Sequence, residues 1–262
     1  MSVDPETPRT LARGDGTKLA YHHSPSTEGA GSLPGVVFLG GFMSDMSGTK
    51  AIRLEAFCRS RGQQFTRFDY RGHGQSSGAF REGTIGLWAD DAAAVLTEVT
   101  RGPQILVGSS MGGWIMLLAA LRHPERVAGL IGIAPAPDFV VRMYESFTPE
   151  MQTALQRDGH VLRPSEYSDE PYTITRELIE EGRRHLLLEG PLDLDVPVRI
   201  LHGMRDDAVP WELSIRIMER LASRDVRVTF IKDGDHRLSE EPDLDLLCAT
   251  VAELSGSVAG AR

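Results

Sequence analysis

Short apolar runs alternate along the chain with longer amphipathic or alanine-rich segments. Short runs rich in β-branched residues predict buried strands, and the longer segments predict helices. Their alternation predicts an α/β fold with a mostly parallel, twisted sheet and helices on both faces. An early segment, residues 18–22, predicts an antiparallel strand at the sheet edge. The predicted strands are residues 36–39, 64–70, 104–107, 127–134, 198–201 and 226–232, and the predicted helices are residues 49–61, 84–100, 113–121, 211–223 and 243–254.

Residues 136–195 interrupt this alternation with helical and loop-like sequence divided by prolines. Apolar residues recur there at intervals of three and four, which predicts a helix whose apolar stripe comprises Phe139, Met143, Tyr144, Phe147 and Met151. A structureless loop of this length is unusual in a compact domain. We therefore predict a helical cap at residues 136–195, inserted into a core domain of residues 1–135 and 196–262. The alternative is that the stripe packs only on the core and shapes no substrate site.

Composition and charge narrow the class of protein. The 262 residues are 41% hydrophobic and 25% charged, as in a soluble globular protein. A net charge of −9 disfavours nucleic acid and anionic membranes as partners, because both repel an acidic body. No apolar stretch approaches the ~20 residues that a membrane span needs. The sequence leaves the oligomeric state open.

Two further observations bear on the compartment. Cys58 and Cys248 are the only cysteines and form no C-x-x-C pair, which favours buried thiols in a reducing compartment over a disulfide. Residues 1–16 are polar and contain no apolar secretory segment. We therefore expect a cytoplasmic location.

The run Gly108-Ser109-Ser110-Met111-Gly112 is the strongest chemical signal in the chain. It spells G-x-S-x-G directly after a predicted strand and directly before an apolar predicted helix. A serine on such a turn has strained backbone angles and an exposed hydroxyl, and side chains at the flanking glycines would collide with the strand and helix. Ser110 is therefore the candidate nucleophile. The alternative is an ordinary Gly/Ser-rich loop.

A serine nucleophile needs a base to take its proton and a carboxylate to orient that base. On a strand–serine–helix turn of this kind, the acid and then the histidine follow on loops after later strands. His236 follows the last predicted strand, so it is the candidate base. His202 precedes the acid loop, and we predict it to be a packed residue at a strand end. The remaining histidines precede the nucleophile, end its helix or lie in the cap: His22, His23, His73, His123, His160 and His185.

The candidate acid lies after the predicted strand 198–201, where the sequence contains two adjacent aspartates, Asp206 and Asp207. One of them must accept a hydrogen bond from the imidazole, and the other can cap the helix that starts near Pro210. Spacing does not separate the two. Asp138, which follows an earlier strand, is a third candidate.

Two backbone N–H groups are needed to hold the oxyanion that develops during acyl transfer. Met111, directly after the nucleophile, is expected to supply one. Phe42 is expected to supply the other, because the loop Gly40-Gly41-Phe42 follows the predicted strand 36–39 and its glycines let the backbone approach a substrate. The alternative is a plain glycine turn.

Three motifs together resemble the α/β-hydrolase superfamily. They are F-D-Y-R-G-H-G-Q-S at residues 68–76, G-S-S-M-G-G at residues 108–113 and H-G-M-R-D-D-A-V-P at residues 202–210. The resemblance implies the α/β-hydrolase fold. It also implies that the first aspartate of the last motif is the acid, which selects Asp206 over Asp207. His73, within the first motif, is expected to be structural.

Longer strings resemble the α/β-hydrolase-domain-containing protein 10 type of thioesterase. They are S-G-T-K-A at residues 47–51, E-A-F-C at 55–58, G-P-Q-I-L-V-G-S-S at 102–110, G-G-W at 112–114, D-D-A-V-P-W at 206–211 and D-H-R at 235–237. The family removes palmitoyl groups from protein cysteines and hydrolyses drug acyl-glucuronide esters. We find no mitochondrial presequence here, so we do not expect organelle location to carry over.

The resemblance implies a serine hydrolase that cleaves carboxylic esters or thioesters through an acyl-enzyme, with no metal or organic cofactor. An S-acylated protein is the expected substrate class. Two alternatives stay open within the same fold, a small-ester carboxylesterase and a serine peptidase. A third belongs to another class of protein, a ligand-binding homologue that has lost turnover.

Overall fold

The computed structural model of the protein describes residues 7–27, 33–163 and 171–260. Within these ranges eight strands form one sheet in the order β1-β2-β4-β3-β5-β6-β9-β10. The strands from β4 to β10 along this order run parallel, and β1 and β2 add an antiparallel edge. The sheet strands are β1 (Arg9–Ala12), β2 (Lys18–Ser24), β3 (Gly35–Leu39), β4 (Phe65–Phe68), β5 (Gln104–Ser109), β6 (Val127–Ile133), β9 (Val198–Gly203) and β10 (Val226–Ile231).

Helices cover both faces of the sheet, and the alternation of side chains along the strands explains why. On β3, Val37 and Leu39 point into one apolar cluster, while Val36 and Phe38 point into the cluster on the opposite face. The first cluster includes residues of α2, α3 and α7, and the second includes residues of α1 and α8. The bounds of these helices are α1 (Thr49–Ser60), α2 (Ile85–Ala94), α3 (Met111–Arg122), α7 (Glu212–Arg220) and α8 (Glu241–Gly260).

The segment predicted to be a cap contains more than helices. It has α4 (Phe139–Glu145), α5 (Pro149–Asp158), the antiparallel pair β7 (His160–Arg163) and β8 (Tyr172–Thr175), and α6 (Arg176–Gly182). The predicted single helix is wrong: Phe139, Met143 and Tyr144 lie in α4, Phe147 lies between the helices and Met151 lies in α5. Pro149 opens the second helix, and Thr148 caps it through the Met151 N–H. Buried residues of this segment join the cluster that also contains α3. Its division from the core as a separate domain stays a prediction.

Two other elements differ from the predictions. Strand β1 is too short and too exposed to show a pattern in the sequence. The helix predicted over residues 84–100 ends as an α-helix at Ala94 and continues as a π-helical turn, Val95–Val99, where Thr97 donates its hydroxyl to the Ala93 carbonyl. No helix in the described part of the chain is long and apolar enough to cross a membrane.

Cys58 and Cys248 are both buried in the cluster between the sheet and helices α1 and α8, and both are free thiols. The favoured interpretation, buried thiols rather than a disulfide, therefore agrees with the structure.

Candidate active site

The turn that carries Ser110 joins β5 directly to α3. Ser110 has φ 54° and ψ −120°, and a positive φ is rare outside glycine. A Cβ built on Gly108 would lie 2.4 Å from the Gly112 carbonyl oxygen, and one built on Gly112 would lie 2.1 Å from the Leu39 carbonyl oxygen. Glycine at both positions therefore allows strand, serine and helix to meet. The strained turn presents the hydroxyl at the carboxyl edge of the sheet.

The structure brings the three predicted residues Ser110, His236 and Asp206 into one chain of hydrogen bonds. His236 Nε2 lies 3.1 Å from Ser110 Oγ, and His236 Nδ1 lies 2.7 Å from Asp206 Oδ2. His236 is in the loop between β10 and α8, and Asp206 is in the loop after β9. The two loops are joined by the Arg205 N–H, which donates to the Gly234 carbonyl at 2.9 Å.

The Asp206 carboxylate is buried, and each of its two oxygens accepts two hydrogen bonds. Oδ2 faces the ring nitrogens of His236 and, at 3.1 Å, of His202. Oδ1 accepts from the backbone N–H groups of Ala208 at 2.9 Å and Val209 at 2.7 Å. Burial raises the pKa of Asp206, but the hydrogen bonds from His202 and His236 outweigh burial and hold the pKa below its usual range. The carboxylate is therefore anionic at neutral pH.

The two other candidate acids have different surroundings. Asp207 is exposed and does not cap α7, whose first residue follows Trp211 without a side-chain capping hydrogen bond in the described structure. Asp138 has φ 61° and accepts from the Leu187 N–H at 2.8 Å and the Leu188 N–H at 2.9 Å. Burial raises the pKa of Asp138. Asp138 therefore fastens residues 187–188 to the start of α4 and does not orient His236.

The loop after β3 lies directly against the nucleophile. A Cβ built on Gly41 would be 3.5 Å from Ser110 Cβ, and Phe42 and Met111 both line the cavity that contains Ser110. The Phe42 ring contacts Phe80, Trp88, Phe139 and Tyr172, with ring centroids 4.9–6.0 Å apart.

The other end of this loop is held by Asp69, whose buried carboxylate accepts from the Met46 N–H at 2.7 Å. Met43, within the loop, has φ 58°. The loop next to Ser110 is therefore packed at one end and hydrogen-bonded at the other.

Two cavities meet at Ser110 and His236. The larger has a volume of about 860 Å³ and lies beneath residues of the cap segment. Its apolar wall consists of Phe42, Met111, Phe139, Met143, Val209 and Ile174. The smaller cavity has a volume of about 440 Å³ and lies beside the loop after β3, and Lys50 and Arg237 form part of its lining. Lys50 Nζ donates to the Arg237 carbonyl, which joins α1 to the loop that carries His236.

Two residues make contacts that were not predicted from the sequence. His202, predicted to be a packed strand-end residue, is packed, but its Nε2 also lies 3.1 Å from the Asp206 carboxylate. The spacing of four residues between them in the H-G-x-x-D run is the one sequence signal that could have suggested this contact. Trp114 is fully buried, and its indole N–H donates to the His185 carbonyl at 3.1 Å. Neither contact has a periodicity that sequence patterns could detect.

Comparison with known proteins decides the family. A family model described as serine aminopeptidase, S33 (Hydrolase_4), matches residues 35–177. Palmitoyl-protein thioesterase ABHD10, mitochondrial, from mouse is 45% identical over 245 residues, which is 93% of this chain and 81% of that protein. The human protein of the same name is 43% identical over 245 residues, 93% of this chain and 78% of that protein. The chain belongs to the ABHD10-type α/β-hydrolases.

A solved structure supports the same assignment. Mouse α/β hydrolase domain-containing protein 10 superposes with a TM-score of 0.88 at 42% identity, covering 96% of this chain and 99% of that one. The predicted fold and family are thereby confirmed. The predicted enzyme class, a hydrolase acting on ester or thioester bonds, is confirmed as well.

The expected cytoplasmic location is wrong on this comparison. The relatives from mouse, rat, cattle and human are each named as mitochondrial, which points to mitochondria rather than the cytoplasm. The expectation relied on two unpaired cysteines and on the lack of an apolar secretory segment, and neither criterion distinguishes the cytoplasm from the interior of an organelle. The expectation that organelle location does not carry over from the resembling family is wrong for the same reason.

Proposed function

We propose that Ser110, His236 and Asp206 are the catalytic triad of this hydrolase, which cleaves long-chain acyl thioesters through an acyl-enzyme. The observation that carries the proposal is the continuous hydrogen-bonded chain from Ser110 Oγ through both nitrogens of His236 to Asp206 Oδ2, at 3.1 and 2.7 Å. A serine becomes nucleophilic when a base within hydrogen-bond reach accepts its proton.

The first half of the reaction forms the acyl-enzyme. Ser110 Oγ attacks the acyl carbonyl carbon while His236 Nε2 takes the hydroxyl proton, and the carbonyl oxygen becomes an oxyanion. The backbone N–H groups of Phe42 and Met111 stabilise this oxyanion. The carbon–sulfur bond then breaks, and the departing thiolate receives the proton from His236.

The second half releases the acyl group. Water attacks the acyl-enzyme and gives a proton to His236, which passes it to Ser110 Oγ as the acid leaves. In both halves Asp206 holds His236 with its Nδ1 proton towards Oδ2 and stabilises the imidazolium. Asp206 stays ionised throughout, because its four hydrogen-bond donors favour the carboxylate form.

We propose an S-acylated cysteine, on a protein or peptide, as the substrate class. The ABHD10 relatives are named as palmitoyl-protein thioesterases, which supports this choice. The apolar part of the larger cavity, which includes Phe139, Met143 and Ile174 and is lined at one point by Ser110, supports a long acyl chain as substrate. The leaving group then occupies the smaller cavity, which contains Lys50 and Arg237.

The test compares wild type, Ser110→Ala and Ser109→Ala on peptides S-acylated with two, eight or sixteen carbons, and on matched p-nitrophenyl esters. Ser110→Ala should lower kcat by at least ~10³-fold and abolish labelling by a fluorophosphonate. Ser109→Ala, which removes the neighbouring hydroxyl, should keep both.

Each competing interpretation gives a different outcome in the same assay. Hydrolysis of short esters without activity on the sixteen-carbon thioester would favour a carboxylesterase. Cleavage of aminoacyl p-nitroanilides in place of thioesters would favour a peptidase. A wild-type protein that neither reacts with the fluorophosphonate nor turns over any substrate would favour a non-catalytic binding protein.

A further inference from the structure

His202 occupies a position with no solvent access and with a partner at each ring nitrogen. It is the next-to-last residue of β9 and is 0% exposed. Its Nδ1 lies 2.7 Å from Ser214 Oγ on α7. Its Nε2 lies 3.1 Å from Asp206 Oδ2 and 3.1 Å from the Val209 carbonyl oxygen.

These neighbours determine which nitrogen carries the proton. The two oxygens facing Nε2 belong to a carboxylate and a carbonyl, and both are acceptors with no hydrogen to give. Nε2 must therefore donate. Ser214 can donate its hydroxyl to Nδ1, so the neutral ring is satisfied at both nitrogens. Burial leaves little room for the ring to turn, so this arrangement holds Asp206 Oδ2 in place.

We infer that His202 is a positioning residue for hydrolysis, acting by holding the Asp206 oxygen that orients His236. The inference rests on the proposed function. Asp206 Oδ2 accepts from two imidazole rings, from His236 Nδ1 at 2.7 Å and from His202 Nε2 at 3.1 Å. The second donor takes up part of the negative charge that Oδ2 would otherwise direct at His236.

Sharing this oxygen affects the pH at which the proposed base works. With the His202 donor removed, Asp206 presents more negative charge to His236 and favours its protonated form. A protonated His236 cannot accept the Ser110 proton. As the pH is lowered, the variant should therefore lose activity at a higher pH than wild type does. Other charged groups around Asp206 and His236 are Arg142 of α4, which donates to the Ala208 carbonyl at 2.9 Å, the exposed Asp207, Asp235 in the His236 loop, and Lys50 and Arg237 of the smaller cavity. All of them stay in place in the variants below.

The experiment measures kcat, KM and the pH profile of kcat/KM for wild type, His202→Leu and His202→Gln with one thioester. His202→Leu removes the donor and should lower kcat about tenfold with KM unchanged, and should move the acidic limb up by roughly one pH unit. His202→Gln keeps an N–H donor at the same reach and should restore the wild-type limb. An acidic limb at the wild-type pH in an active His202→Leu protein would overturn the inference.

A second measurement does not depend on whether His202→Leu folds. In wild-type protein labelled with ¹⁵N-histidine, the neutral His202 ring should show the Nε2–H tautomer, and this signal should shift in Asp206→Asn. An Nδ1–H tautomer would overturn the inference. Full activity of Ser110→Ala would instead overturn the proposed triad, so the two failures are distinguishable.

Discussion

Stability of this hydrolase should fall in mild acid because of one buried histidine, His73. The side chain is 4% exposed and its ring lies 5.1–5.6 Å from the rings of Phe80, Trp88 and Tyr70. Its Nδ1 lies 3.2 Å from the Arg71 carbonyl oxygen, and Nε2 has no hydrogen-bond partner among the described residues. Burial lowers the pKa of His73 from 6.5 to about 4 and outweighs the hydrogen bond to the Arg71 carbonyl, which raises it.

The lowered pKa sets both the sign and the size of the effect. As the pH falls through 6.5 the unfolded chain takes up a proton at His73, and the native protein does not until about pH 4. The unfolded state therefore binds more protons in this window, and the free energy of unfolding decreases as the pH falls. At pH 4.5 the loss from this group is about 2.5 kcal/mol, at 1.36 kcal/mol per pH unit.

His73→Leu removes the titrating group, so the pH dependence changes. At pH 8 the variant should be less stable than wild type by about 1–2 kcal/mol, because it loses the Arg71 hydrogen bond and the ring contacts. At pH 4.5 that deficit should vanish or reverse. Urea unfolding followed by circular dichroism at pH 8.0, 5.5 and 4.5 measures the difference.

The matched control is His160→Leu, which replaces an exposed histidine and leaves His73 and its contacts in place, so it should keep the loss of stability that His73 causes. A constant difference in unfolding free energy between wild type and His73→Leu at all three pH values would refute the reasoning.

Two further predictions concern the cavity and the thiols. Met143→Trp narrows the larger cavity and should lower kcat/KM for a sixteen-carbon thioester by about tenfold, while kcat/KM for a two-carbon thioester should change little. Met218→Trp, at an exposed methionine, is the control. Equal losses on both chain lengths would contradict the proposal that the acyl chain occupies this cavity. Burial raises the pKa of the Cys58 thiol from 9.0 to about 12 and also raises that of Cys248. The thiolate fraction of Cys58 is then about a thousandfold smaller than in the unfolded chain. Ellman's reagent at pH 8 should therefore react slowly with the native protein and rapidly with the protein unfolded in urea. Fast reaction of Cys58 in the native state would contradict its burial.

The hydrophobic pattern and the glycine-flanked serine were enough to predict the sheet, most of its helices and the loops that carry the candidate site. These features are encoded locally. Strand and helix periodicities repeat over a few residues, and the strand–serine–helix turn needs glycine at Gly108 because a Cβ there would meet the Gly112 backbone within the same turn. The need for glycine at Gly112 comes from the Leu39 carbonyl of the neighbouring strand β3, but the G-x-S-x-G run shows both glycines in the sequence. The order of the later strands then indicated which loops reach the carboxyl edge of the sheet.

The tertiary structure decided what depends on contacts between distant residues. Asp206 and Asp207 are equivalent in spacing, and they differ because the loop turns the first towards His236, thirty residues away, and leaves the second in solvent. The β7–β8 pair and the contact between His202 and Asp206 are decided in the same way. Pairing, burial and a shared acceptor are properties of groups brought together by folding, and no period along the chain records them.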